Sequence, residues 1–419
     1  MNFELTEQEQ AFRGSLRQWL QENLPEGWGK TVFEPVDHQQ KVAFLKDWSR
    51  RLFEAGYAGL NWPKEYGGGG ATLMEQVIFN EEIARVKAPT AYNGIAIAMV
   101  GPTLIEVGTE AQKHRHLSKM LNCEEIWCQG YSEPGSGSDL ASLQTRAVQD
   151  GDAFVVNGQK VWTSNAHDAA FCFLLARTDP DVPKHKGLSC FIVDMKTPGI
   201  TVKPLRQITG EAEFNEVFFE NVRVPRENLV GELNNGWMVG IGLLMHERAT
   251  ASILNQANVQ TLVKDLVALA KLQGRASDPV IRQRLAQLYT EAECIKHFGY
   301  RNLTKRLRGL PPGPEGSAHR LGLTLLTQRA QDLAMELQGP YSQLMHGSEH
   351  AVQEGSWQYS FLRSRSATIA AGTAEIQRNI IAERVLGLPR ACREILLRAK
   401  VPPQGPLSTF FHSSSSASV

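Results

Sequence analysis

Phe154-Val155-Val156-Asn157-Gly158-Gln159-Lys160-Val161-Trp162 is where the chain changes its period. β-prone residues alternate on either side of Asn157-Gly158, a pair that favours a type I′ turn, so the stretch predicts a hairpin. Before it, from Leu5 to about Trp127, the pattern is helical. Thr6-Glu7-Gln8-Glu9 has the form of a capping box, and Phe12, Leu16 and Leu20 follow at helical spacing. After it come short strands at 171–176, 188–195, 200–205 and 216–219, separated by Gly, Pro and polar turns. From Asn235-Gly236 the helical period returns in segments near 236–273, 278–307, 316–345 and 363–397. Their short connections predict antiparallel neighbours. The expected fold is therefore α+β. A helical domain (1–127) precedes a small β-barrel or sandwich (128–234) and an antiparallel four-helix bundle (235–400). A flexible tail (401–419) containing Ser413–Ser416 ends the chain.

Composition narrows the function classes. The 419 residues carry 44 Lys plus Arg and 44 Asp plus Glu, a balance that argues against a nucleic-acid binder. No apolar run reaches the roughly 18–20 residues of a membrane span; Met238–Met245 is short and runs into His246-Glu247-Arg248. The start, Met1-Asn2-Phe3-Glu4-Leu5, has neither a secretion signal's basic and apolar regions nor a transit peptide's Arg-rich character, so a cytoplasmic location is expected. The cysteines at 123, 128, 172, 190, 294 and 392 form no CxxC pair and have no His at ligand spacing. Reduced, buried thiols and no metal site are expected.

Two segments have the makings of a binding site. Gln129-Gly130-Tyr131-Ser132-Glu133-Pro134-Gly135-Ser136-Gly137-Ser138-Asp139 combines hydroxyls with backbone N–H groups freed by glycines, a means of holding a ring edge and an anion. Lys160-Val161-Trp162-Thr163-Ser164-Asn165 places an aromatic face beside hydroxyl and amide groups. Each alone also has an ordinary reading, as a turn and as a core Trp at a strand end. No GxGxxG follows a strand, so a Rossmann-type site is not supported. Trp62–Gly70 is glycine-rich but lacks the Lys-Ser/Thr of a P-loop, and reads as a turn between helices.

Taken together, Tyr131–Asp139, Asn157–Asn165 and Gly372-Thr373-Ala374-Glu375-Ile376-Gln377-Arg378 resemble, in order and spacing, the signatures of the acyl-CoA dehydrogenase family. The resemblance runs from Leu5 to about Arg390. It implies FAD as cofactor, an acyl-CoA substrate, an electron-transferring flavoprotein as acceptor, and a homotetramer or dimer. Gln129, Tyr131 and Ser132 would line the flavin, with Ser138 near the phosphates of FAD or acyl-CoA. Trp162, Thr163 and Ser164 would pack on the ring. Gln338 and Gly339, in a turn that departs from the usual double glycine, and Thr373 and Glu375 would hold the FAD tail, in part across a subunit boundary. Ser138, Arg248, Ala371 and Gly372 would meet the acyl-CoA.

The reaction that this resemblance implies needs a base for the α-proton of the thioester while the flavin takes the β-hydride. Many family members carry that base as a Glu directly before the Gly-Thr of the C-terminal motif. Here that position is Ala371. Other members place it on the first long helix of the bundle, where this chain has Glu247. Leu243, Leu244, Thr250, Ala251 and Leu254 share its helical face. Burying a carboxylate there is costly without a reason; a structural ion pair is the ordinary one, and with Ala371 the base reading is favoured. His246 points about 100° away and is assigned a structural role. Arg275 stands near where the family often has a pyrophosphate-binding Arg, and reads equally as a loop charge. Gly94–Met99 is small and apolar, fit for an acyl pocket or for core packing. Two other readings share these residues: an oxidase of the same fold, and a non-catalytic acyl-CoA- or FAD-binding protein.

Overall fold

The computed structural model describes residues 4–26, 28, 38–310 and 313–389, with side chains described for all of them except 38 and 247–256. The tail expected at 401–419, together with Cys392, lies outside these residues.

The chain folds as helical, β and helical regions in that order. Helices α1 (Glu7–Asn23), α2 (His38–Glu54), α3 (Leu73–Val86), α4 (Gly101–Val107) and α5 (Glu110–Leu121) come first. Capping boxes start three of them, at Thr6/Glu9, Thr72/Glu75 and Thr109/Gln112. Just before α4, Ala96–Val100 winds as a π-helix. The widened turn frees the Ile97 carbonyl, and the buried Trp62 indole donates to it at 2.9 Å.

Strands β1 (Trp127–Gly130), β2 (Arg146–Asp150), β3 (Ala153–Ser164), β4 (Phe171–Arg177), β5 (Leu188–Asp194), β6 (Ile200–Leu205), β7 (Phe214–Pro225) and β8 (Leu229–Val230) follow. They form one sheet in the order β6-β7-β3-β2-β4-β5-β8, with β1 parallel to β4. Only Arg146↔Arg177 joins β2 to β4, so the sheet folds over at that seam. Phe154 of β3 then meets Phe191 of β5, ring centroids 4.9 Å apart. β4 is buried along its whole length because each face has a partner. Phe171, Phe173 and Leu175 pack on the N-terminal helices, while Cys172, Leu174 and Ala176 fill the β core.

One expectation is overturned here. Asn157-Gly158 makes no turn; β3 runs straight through it and pairs with β7 on both sides of a register shift. The hairpin turn falls at Gly151-Asp152, with Gly151 at φ 60°, between the paired Asp150 and Ala153. Asn157 instead exchanges hydrogen bonds with Asn221 at the bulge. A Cβ on Gly158 would stand 2.6 Å from the Thr145 Cα, so glycine is required there for close approach. Bulges and turns demand the same small residues, and local sequence does not separate them.

Helices α6 (Gly236–Leu272), α7 (Pro279–Leu307), α8 (Gly316–Gln338), α9 (Ser356–Ser364) and α10 (Ala374–Ile380) complete the fold. α6 serves two cores. Val239 and Leu243 pack against the β and N-terminal regions, whereas Val259, Val263, Leu266 and Leu269 belong to the bundle. The single long helix expected at 363–397 is broken. Ala371 and Gly372 have φ of 50° and 90°, and Thr373 caps a new helix by accepting from the Ile376 N–H. Cys123, Cys128, Cys172 and Cys190 are buried free thiols as expected; Cys294, on the outer face of α7, is exposed. Among the described residues no helix is long and apolar enough to cross a membrane, and no cluster of three potential metal ligands occurs.

Candidate active site

A second bulge in β3 builds the site. Lys160 pairs with Val217 and Thr163 with Asn215, so three steps along β3 match two along β7. Trp162 absorbs the extra residue at φ 60°, a conformation that costs an aromatic residue on the order of 1–3 kcal/mol. The bulge resets which face each side chain takes. Lys160 and Thr163 both point inward at 0% exposure, Trp162 is turned out at 59%, and Ser164 is half-buried. Trp162 rests edge-on against Phe214, itself covered by the Arg363 guanidinium.

The 129–139 loop lies alongside. The Val161 N–H donates to the Ser132 carbonyl at 2.9 Å, joining the loop to β3 beside Trp162. Ser132 and Ser164 are half-buried, and neither hydroxyl has a hydrogen-bond partner among the described residues. Glu133 and Ser136 exchange backbone hydrogen bonds at 3.0 Å, closing a tight turn. Beyond it Ser138 is exposed and Asp139 is paired with Lys184. Gly135 and Gly137 would meet nothing within 4 Å if they carried a Cβ, and neither has positive φ. Among the described residues nothing requires glycine there, which leaves this backbone open to an outside anion. An exposed indole, two hydroxyls without partners among the described residues and this open glycine loop on one edge fit a flat ring with an anionic tail.

Below the edge lies a buried ion pair. The Lys160 ammonium is 2.9 Å from Glu133 Oε1 and donates to the Tyr131 carbonyl at 3.0 Å. The Glu133 carboxylate also accepts from the Gln144 and Thr145 N–H groups. Burial alone would raise the Glu133 pKa, but Lys160 and these donors outweigh it and hold it below the ordinary value. Burial likewise pulls Lys160 below the usual lysine value, against the opposing pull of Glu133.

Several expected site residues face elsewhere. Tyr131 turns its ring into the core, where its hydroxyl would stand 3.4 Å from a Cβ on Gly240 of α6, so it borders the edge through its backbone. Thr163 is likewise turned away by the bulge. Gln338 is 2% exposed, its amide bonded to the Ala334 carbonyl and to Gln358. Thr373 spends its hydroxyl on the helix cap, and Glu375 pairs with Arg378. Ala371 is exposed and Gly372 half-buried, while Arg320 donates to the Ala370 carbonyl. Arg275 pairs with Asp278, the α7 N-cap. His246 lies 3.3 Å from Glu106. The side chains of Glu247 and Arg248 lie outside the described residues. The α6 backbone is continuous past them, and position 247 follows Gly236, Gly240 and Leu243 on one helical stripe.

Residues 6–124, 128–222 and 234–386 match, in turn, the acyl-CoA dehydrogenase N-terminal, middle and C-terminal domains. Acyl-CoA dehydrogenase IpdE1 of Mycolicibacterium smegmatis is 39% identical over 393 residues, covering 91% of this chain and 98% of that relative. The chain belongs to the acyl-CoA dehydrogenase family. Among solved structures, the Tcur3481-Tcur3483 steroid ACAD superposes with a TM-score of 0.83 at 31% identity, over 93% of this chain and 100% of the other. The ChsE4-ChsE5 complex from Mycobacterium tuberculosis gives 0.80 at 31% identity over the same shares. In this acyl-CoA dehydrogenase the first two signatures form one edge. The third stands apart on α10, with its preceding turn tied to Arg320 near the start of α8. Reading the sequence missed Glu133 and Lys160 as a pair. A signal was present: Lys160 shares the inward parity of Phe154 and Val156 along β3.

Proposed function

We propose that the chain removes the α- and β-hydrogens of an acyl-CoA thioester, with FAD held on the Trp162–Ser132 edge and Glu247 as base. The observation that carries this reading is the bulge, which turns Trp162 and Ser164 outward beside the unpartnered Ser132. FAD, when bound, supplies the two-electron acceptor for the β-hydrogen. The chain's own part is to seat the ring, cradle the anionic tail near Ser138 and remove the α-proton. Ala371 offers only a methyl group, whereas position 247 continues the α6 stripe that passes Tyr131 at Gly240. Arg248, Ala371 and Gly372 are assigned to the acyl-CoA.

The likeness to the solved steroid ACAD supports a fused-ring acyl group as the substrate class. Anaerobic titration with a panel of acyl-CoA esters tests it directly. Fused-ring esters are expected to bleach the flavin at lower concentration than straight-chain ones, and the reverse order removes this assignment. The reduced enzyme is expected to persist in air and to be reoxidised by an electron-transferring flavoprotein. Rapid oxygen consumption during turnover would identify an oxidase instead.

Thr163 supplies a sharper test of the edge. Its buried hydroxyl has no partner among the described residues, and such a group costs about 1–3 kcal/mol. Thr163→Val is expected to stabilise the fold by about 1 kcal/mol and to leave FAD affinity unchanged. Weaker FAD binding in that variant would place the hydroxyl at the ring.

The tail contacts are assigned across a subunit boundary. Gln338 lies 18 residues beyond Arg320 on α8, about 27 Å at 1.5 Å per residue. The C-terminal motif and the Gln338-Gly339 turn therefore lie at opposite ends of one helix. Beside that turn is a groove of about 340 Å³ lined by Met335, Met345, Phe361 and Leu362, with the Gln358 Oε1 buried and without a partner among the described residues. This reading assigns the turn to a second copy's cofactor, and so expects a homotetramer or dimer. Sedimentation is expected to show a multimer.

A further inference from the structure

Lys160 is the one lysine that is buried among the described residues, and the proposed reaction gives it no proton to carry. A trans peptide directs its carbonyl and its N–H to opposite sides. The Tyr131 carbonyl is taken by the Lys160 ammonium at 3.0 Å, so the N–H of the same peptide, on Ser132, is directed away from it. That N–H has no hydrogen-bond partner among the described residues. The next carbonyl, of Ser132, is held by the Val161 N–H, so the peptide is fixed from both ends. A cation bonded to a carbonyl in a low-dielectric setting strengthens the N–H of the same amide as a donor. Glu133 keeps the ammonium in place, and is itself fixed by the Gln144 and Thr145 N–H groups.

We infer that Lys160, clamped by Glu133, is a positioning residue that raises the electron affinity of the bound flavin by aiming and polarising the Ser132 N–H. This rests on the reading of the Trp162–Ser132 edge as a flavin site. A flavin ring gains negative charge on two-electron reduction, so a donor strengthened from behind favours the reduced form over the oxidised one. A purely structural ion pair would hold the loop without altering that difference.

The test replaces the pair without leaving a lone charge. Lys160→Met with Glu133→Gln removes both charges and keeps a carbonyl acceptor for one of the Gln144 and Thr145 N–H groups, an exchange that buried pairs often tolerate. Lys160→Gln with Glu133→Gln keeps a neutral donor toward the Tyr131 carbonyl. For the full-length protein three things are measured: thermal unfolding, FAD affinity of the apoprotein, and the midpoint potential of the bound flavin. The Met/Gln variant is expected to lose at least about tenfold more affinity for reduced than for oxidised FAD, a potential about 30 mV more negative. The Gln/Gln variant is expected to fall between it and the wild type. If the Met/Gln variant does not fold, the Gln/Gln variant carries the test, with a potential below that of the wild type as the expected result. Folded variants that bind FAD at the wild-type potential overturn the inference alone. A wild-type chain that takes up no FAD overturns the flavin reading, and this inference with it.

Discussion

Glu247→Gln is expected to bind FAD and acyl-CoA normally and yet to lose bleaching of the flavin by substrate, by about 10²–10⁴-fold in rate. The substitution keeps size and hydrogen-bonding capacity but removes the only proton acceptor proposed for the α-carbon. No second carboxylate stands in at the other family position, because Ala371 occupies it. The neighbouring His246 gives no relief: its Nε2 lies 3.3 Å from Glu106 of α4, a direction set by the roughly 100° between adjacent helical positions. His246→Asn should therefore bleach close to the wild-type rate. Rapid-mixing reduction under anaerobic conditions reads both variants. Undiminished bleaching in Glu247→Gln removes Glu247 as base, and loss in His246→Asn alone transfers the role.

The largest effect on stability is expected from Lys160→Met. Removing one partner of a buried pair leaves the other charge without compensation, at about 3–5 kcal/mol. Glu133 is 8% exposed and would keep only the Gln144 and Thr145 N–H groups. The pH dependence should reverse as well. In the wild type the Glu133 pKa is held below its ordinary value, so its contribution is complete above that value and is lost as the pH falls through the lowered one. Without the ammonium, burial raises the folded-state pKa, and the folded chain takes up a proton more readily than the unfolded one. The variant's deficit should then be greatest at neutral pH and shrink in mild acid. Thermal unfolding of both proteins across that range checks the sign; a deficit that deepens in acid contradicts it.

These two residues mark how far the sequence alone could be read. The α+β order was legible because apolar periods of 3.6 and 2 are local properties, as was the capping box at Thr6. The motifs around Ser132, Trp162 and Thr373 were legible as residue types at fixed spacing, and so was the missing carboxylate at Ala371. Which way each side chain points was decided only by the tertiary structure. The bulge after Lys160 is a relation between β3 and β7, and it alone turns Thr163 inward and Trp162 outward. Asn157-Gly158 became a bulge because β7 continues beside it and Thr145 leaves no room for a Cβ. The Glu133–Lys160 pair joins residues 27 positions apart through the same folding-over of loop on strand. Local composition sets what each segment can form; the partner that packs against it decides which face, and therefore which atoms, the site receives.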